Sequence, residues 1–171
     1  VLTVDDKIRF LFDSDFVNDG TINIHGEGLY VNDSRAIINN GIINFLGSVG
    51  ASVILDAYGT DTISFINNGL LNWNNTPDGF FRKSGKTGFV NQLFGSMVFD
   101  LESNYINNLG GTFENHGSIG NKGKIFNSGI FTNHPTGDIN FANINNGGII
   151  NNGTFDNNGF INIGNEGVQY C

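Results

Sequence analysis

The 171-residue chain has a single cysteine, and it is the last residue, so no internal disulfide framework can hold the fold. Basic residues are scarce: 8 Lys and Arg stand against 16 Asp and Glu, for a formal charge of −8. No basic stripe exists to neutralise phosphates, which argues against nucleic acid as a partner. No run approaches the roughly 18 apolar residues of a spanning helix, so no membrane span is expected. Apolar residues at helical spacing are also missing, because Gly or Asn interrupts every window. Ser-His-Asp order, a phosphate-binding loop and a calcium nonapeptide are all lacking. There is no signal-peptide pattern, yet the chain opens at Val1 rather than Met, and from this we expect processing or an excised segment.

What the chain has in abundance is Gly, 25 residues, and Asn, 29 residues. They fall in a six-residue unit: apolar, x, Asn, x, Gly, x. It runs as Phe113, Asn115, Gly117; Ile119, Asn121, Gly123; Ile125, Asn127, Gly129; Phe131, Asn133. The same frame returns in phase at Asn145, Gly147; Ile149, Asn151, Gly153; Phe155, Asn157, Gly159; Ile161. Alternate residues of a strand share a face, so the apolar residue, the Asn and the Gly all point inward. Phe113, Ile119, Ile125, Phe131, Ile149, Phe155 and Ile161 are therefore expected in the core, with Lys122, Lys124 and Thr132 outside. A short strand centred on the apolar residue, followed by a corner at Asn-x-Gly, is the simplest local structure. Gly is expected there for its positive backbone angles, and stacked Asn amides for ladders. A disordered tract could share this composition but would not supply buryable residues in register. A repeat this short implies stacked coils, each burying its face against its neighbours.

The expected fold is thus all-β, a β-solenoid (β-helix) forming one domain over 1–171. Single units at Phe16, Asn18, Gly20, at Ile37, Asn39, Gly41 and at Phe65, Asn67, Gly69 are widely spaced. They predict larger, irregular coils over 1–112, ahead of tight hexad coils over 113–167. Residues 76–88 break the pattern and are predicted to protrude as a loop. Residues 134–142, with Pro135, read as an inserted bulge that preserves the phase.

Gly20-Thr21-Ile22-Asn23 and Gly153-Thr154-Phe155-Asp156-Asn157 carry a resemblance. Their form is similar to the repeats of filamentous-haemagglutinin-like adhesins and of archaeal sheath or surface-fibre proteins. The resemblance implies an extracellular structural or adhesive protein with no catalytic residues to carry over.

Enzymatic readings find little footing. Asp56, Asp61, Asp78, Asp100 and Glu102 could converge mid-chain, but no spacing singles out a pair, and solvated carboxylates are the plain alternative. His25, His116 and His134 lie far apart in sequence with no second ligand at a zinc-like interval, so no metal or other cofactor is expected. Asn32, Asn74 and Asn152 match the glycosylation acceptor pattern, as Asn-rich chains do by chance. Arg82, Lys83 and Lys86 form the one basic cluster, either solvated or docked against Asp5, Asp6, Asp13 and Asp15 of another copy. Cys171 suggests an intermolecular disulfide. Two roles follow as expectations. One is a non-enzymatic structural subunit that assembles with copies of itself into an extracellular sheath, fibre or surface layer. The other is an adhesin that binds surface glycans through outward aromatics such as Trp73 and Phe126.

Overall fold

The computed structural model describes residues 1–10, 15–31, 35–47, 50–57, 62–73, 76–141 and 147–163. Among these residues 22 strands form three parallel sheets, and no helix occurs. The first face stacks β1 (Leu2–Val4), β4 (Thr21–Ile24), β7 (Ile42–Phe45), β10 (Leu70–Trp73), β13 (Ser96–Phe99), β16 (Ser118–Asn121), β19 (Asp138–Phe141) and β22 (Phe160–Ile163). The second stacks β2 (Lys7–Phe10), β5 (Gly28–Val31), β8 (Ser52–Asp56), β11 (Phe80–Ser84), β14 (Tyr105–Asn108), β17 (Lys124–Asn127) and β20 (Gly148–Asn151). The third stacks β3 (Phe16–Asn18), β6 (Arg35–Asn39), β9 (Ile63–Asn67), β12 (Thr87–Asn91), β15 (Thr112–Asn115), β18 (Ile130–Asn133) and β21 (Thr154–Asn157). The chain visits the three faces in turn, one strand each per coil. It is a three-sided β-solenoid.

The hexad maps onto this geometry directly. β15 to β18 are four-residue strands that share one pattern, exposed, buried, half-buried, buried, with the apolar residue and the Asn inward. The next two residues turn the corner. Three hexads therefore make one coil of 18 residues, the separation of Asn115 from Asn133. The other coils along this column take 21, 28, 24, 24 and 24 residues. Extra residues sit between strands, so the registers survive them: Phe65, Phe89, Phe113, Phe131 and Phe155 remain Cα partners from coil to coil.

Apolar side chains stack into columns inside. Trp73 lies between Phe45 and Phe99, with centroids 4.4 and 4.3 Å away and rings nearly parallel. On the third face, Phe113 stacks on Phe131 at 4.4 Å, and Phe81 of the second face meets Phe89 edge-on at 4.6 Å. Such pairs add about 0.5–1.5 kcal/mol each beyond their burial. Phe113, Ile119, Ile125 and Phe131 are buried as expected, whereas Ile149, Phe155 and Ile161 are half-buried because no described coil covers them. Lys124 is exposed, and Lys122 and Thr132 are half-buried.

Three sequence expectations need correction. Residues 76–88 do not form a protruding loop, since β11 and the start of β12 lie there, paired on both sides. The region 134–142 is not a bulge: it supplies β19, a full member of the first sheet. The hexad glycines are not there for positive φ, which among the described glycines occurs at Gly28, Gly50, Gly85, Gly111 and Gly148 instead. They are there for closeness. A Cβ on Gly123 would sit 1.7 Å from the carbonyl oxygen of Asn104 in the coil below.

Candidate functional site

The corner after the third face carries the most regular polar feature. Asn18, Asn39, Asn67, Asn91, Asn115, Asn133 and Asn157 occupy one inward column, and each Nδ2 donates to the Oδ1 of the next at 2.7–2.9 Å. The same nitrogens also donate to corner carbonyls, as Asn91 does to Gly95 and Ser118. A second ladder joins Asn108, Asn127 and Asn151 at the corner of the second face. Both ladders donate toward the carboxyl-terminal coil. The first end therefore presents an acceptor, Asn18 Oδ1, bonded among the described residues to the Gly20 amide. The last end presents the amide of Asn157.

The ends also match in shape. Five of the six inward columns begin and end with like residues: Leu2 and Ile161, Val4 and Ile163, Ile8 and Ile149, Phe16 and Phe155, Asn18 and Asn157. The sixth runs in register from Val31 to Asn151 and changes from apolar to polar along its length. On the last described coil Phe160 is 72 % exposed. Its strands and those of the first coil are hydrogen-bonded on one side among the described residues.

The basic cluster is largely absorbed within the chain. Lys83 is fully buried, and its Nζ donates to Thr87 O at 3.1 Å and to Gly110 O. Burial lowers its pKa from 10.5 to about 7. Arg82 pairs with Asp56, which also accepts from Ser84 Oγ. Lys86 is exposed, as are Asp5, Asp6 and Asp15; Asp15 accepts a hydrogen bond from the Ala36 amide. Inter-subunit contacts through Lys83 are therefore ruled out by its burial. Asn152, one of the glycosylation matches, is exposed. Asp13, Asp61, Asn32, Asn74 and Cys171 lie outside the described residues.

Two of the described mid-chain acids are held in ion pairs. Asp56 is taken by Arg82, and Asp100 by Lys122 at 2.6 Å. Trp73 is a core residue, not an outward aromatic, because alternation from Leu71 turns it inward. Phe126 does face out. It meets Tyr105 edge-on at 6.0 Å, and Tyr105 stacks on Phe80 at 5.1 Å, giving an aromatic strip on the second face.

The winding brings together two histidines that the sequence analysis kept apart. His116 and His134 differ by 18 positions, which is one coil, and their rings stack with centroids 3.7 Å apart. Glu114 joins them: its Oε2 lies 3.7 Å from His116 Nε2 and 3.4 Å from His134 Nε2. The signal was legible in principle, since three hexads separate the two residues. Among the described residues no helix is long and apolar enough to cross a membrane. No protein-family model, curated protein or solved structure matches the chain, so the reading of these surfaces rests on the chain's own residues.

Proposed function

We propose that the chain is a structural, non-enzymatic subunit that stacks head to tail through its coil edges into an extracellular sheath, fibre or surface layer. The observation that carries this reading is the match between the two ends. An incoming copy would set Phe16 on Phe155, Ile8 on Ile149 and the Asn157 donor on the Asn18 acceptor, extending the second and third sheets. On the first face, which carries eight strands against seven, β1 would have to give way for β4 to meet β22. Such a contact is heterologous and grows into a filament or a ring according to the rotation per copy. The resemblance to sheath and surface-fibre repeats agrees with it.

Gly20 supplies the test. A Cβ at Gly20 has nothing within 4 Å, whereas one on Gly41, the equivalent corner a coil later, would lie 2.0 Å from Gly20 O. Gly20 becomes crowded only when another coil lies below it. Negative-stain images and fibre diffraction of the concentrated full chain should show filaments with a meridional spacing of about 4.8 Å. Gly20→Ala should melt like the wild type yet remain monomeric. A wild-type chain that stays monomeric at high concentration sinks the proposal.

One observation favours a second reading. The strip of Phe80, Tyr105 and Phe126 offers faces on which a sugar ring could stack, as an adhesin for surface glycans would require. Glycan binding by a monomer, lost on Tyr105→Ala, would select it.

A further inference from the structure

We propose that Glu114, His116 and His134 bind a divalent transition-metal ion, zinc foremost, which cross-links two successive coils on the outer surface. Two imidazoles and one carboxylate have ligand atoms all within 4.8 Å of one another. Both Nε2 atoms approach the same carboxylate oxygen, at 3.7 and 3.4 Å. These separations are long for hydrogen bonds but close to the edge of a coordination polyhedron, roughly 3.3–3.5 Å when each ligand stands about 2.0–2.2 Å from the ion.

The surrounding column shows that the trio is unusual. The residue after each ladder Asn forms an outer polar column: Asp19, Asn40 and Asn68 at the first rungs, His116 and His134 later. Asn40 donates to Asp19, and Asn68 to Asn40, at 2.7 and 2.8 Å. The histidine rung has no such bond. Instead, Nε2 of His134 is buried without a hydrogen-bond partner. A cation at the shared edge of the stacked rings, with one imidazole turned so that both in-plane lone pairs meet it beside the carboxylate, would give that nitrogen a partner and supply three ligand bonds. Imidazole nitrogen with carboxylate oxygen suits zinc, copper or nickel and disfavours calcium and magnesium, which take oxygen. Glu114 and His116 belong to one coil and His134 to the next, so the ion would bind the folded state alone and raise its stability. This site is independent of assembly, because all three residues lie on the side of the stack.

The test is titration of zinc chloride into the metal-stripped full chain, followed by calorimetry, thermal melting and long-range proton–nitrogen NMR of the imidazoles. We expect one equivalent to bind, the melting temperature to rise, and the Nε2 signals of His116 and His134 to shift together while His25 stays. Calcium chloride should do none of this. His116→Gln, His134→Asn and Glu114→Gln should each weaken zinc binding by roughly tenfold or more, at least the loss known for outer-shell partners. No saturable binding, equal shifts at His25, or wild-type affinity in the His116 variant would overturn the proposal. The NMR experiment uses the wild-type chain and so stands even if a variant misfolds.

Discussion

Lys83 sits where one inner column changes from apolar to polar. Val31 and Leu55 stand below it in register, and Asn108, Asn127 and Asn151 above. Burial brings its pKa down to about 7. Between that value and the unfolded 10.5, the unfolded chain binds more protons than the folded one, so stability should rise with pH across this window. Below about pH 7 both states are protonated and the penalty is complete; above 10.5 it vanishes. Lys83→Met should remove a slope approaching 1.4 kcal/mol per pH unit, measured by urea unfolding at pH 7 and 9.5 against the wild type. An unchanged slope would mean that the ammonium reaches water. Glycine makes a second test at this scale. Gly41→Ala must drive a Cβ into a backbone carbonyl and should cost about 3 kcal/mol or more, while Gly20→Ala should stay within about 0.5 kcal/mol in the monomer. Equal melting of the two would refute the coil-contact explanation of these glycines.

The element of this fold is a four-residue strand plus a two-residue corner, and its ladder carries a distinct prediction. Asn91 accepts from Asn67 and donates to Asn115, Gly95 and Ser118. Asn91→Leu leaves several buried acceptors without donors and should destabilise by at least about 2 kcal/mol. Asn91→Asp should be worse at neutral pH, because a buried carboxylate would face three carbonyl oxygens. Its deficit should shrink as pH falls toward 4, since burial raises the carboxyl pKa in the folded state and the folded chain then gains protons first. Urea unfolding at pH 7 and 4 checks both. At this scale the sequence was readable, because even spacing assigns each residue a face whatever follows it. The misreadings came where composition was weighed above alternation. Arg82, Lys83 and Lys86 looked like a solvated loop, yet Phe81 and Lys83 alternate inward as plainly as Phe113 and Asn115. Trp73 stands two residues from Leu71 and shares its face for the same reason.

Across the whole molecule, each coil touches only its neighbours, so stability should be graded along the stack. Amide exchange should be slowest in β9 to β17 and faster in β20, β21 and β22, where Ile149, Phe155 and Ile161 are half-buried. Uniform protection to the end would show that something covers the last described coil. Coil length was the part of the fold least legible beforehand. Where 18 residues make a coil the repeat shows it, but a coil of 28 hides its period, because residues inserted between strands carry no pattern of their own. The histidine site was missed for a related reason. Closeness in this fold is measured in coils, and His116 and His134 are one coil apart.

The register that survives insertions has a meaning for the gene. Thr112 and Ile130 are Cα partners, so removal of residues 112–129 would join Gly111 to Ile130 with every later strand still on its own face. Phe89 would then meet Phe131, Asn91 would meet Asn133, and Phe99 would meet Phe141 in place of Asn121, whose Nδ2 is buried without a partner. A deletion of 18 codons should thus give a shorter protein with a cooperative melt, whereas a deletion of 17 would turn the core of the following strand outward. Any such in-register deletion would change the length of the molecule by a whole coil and leave its cross-section intact. Length is the property this architecture leaves open to inheritance, and cross-section is the one it holds constant.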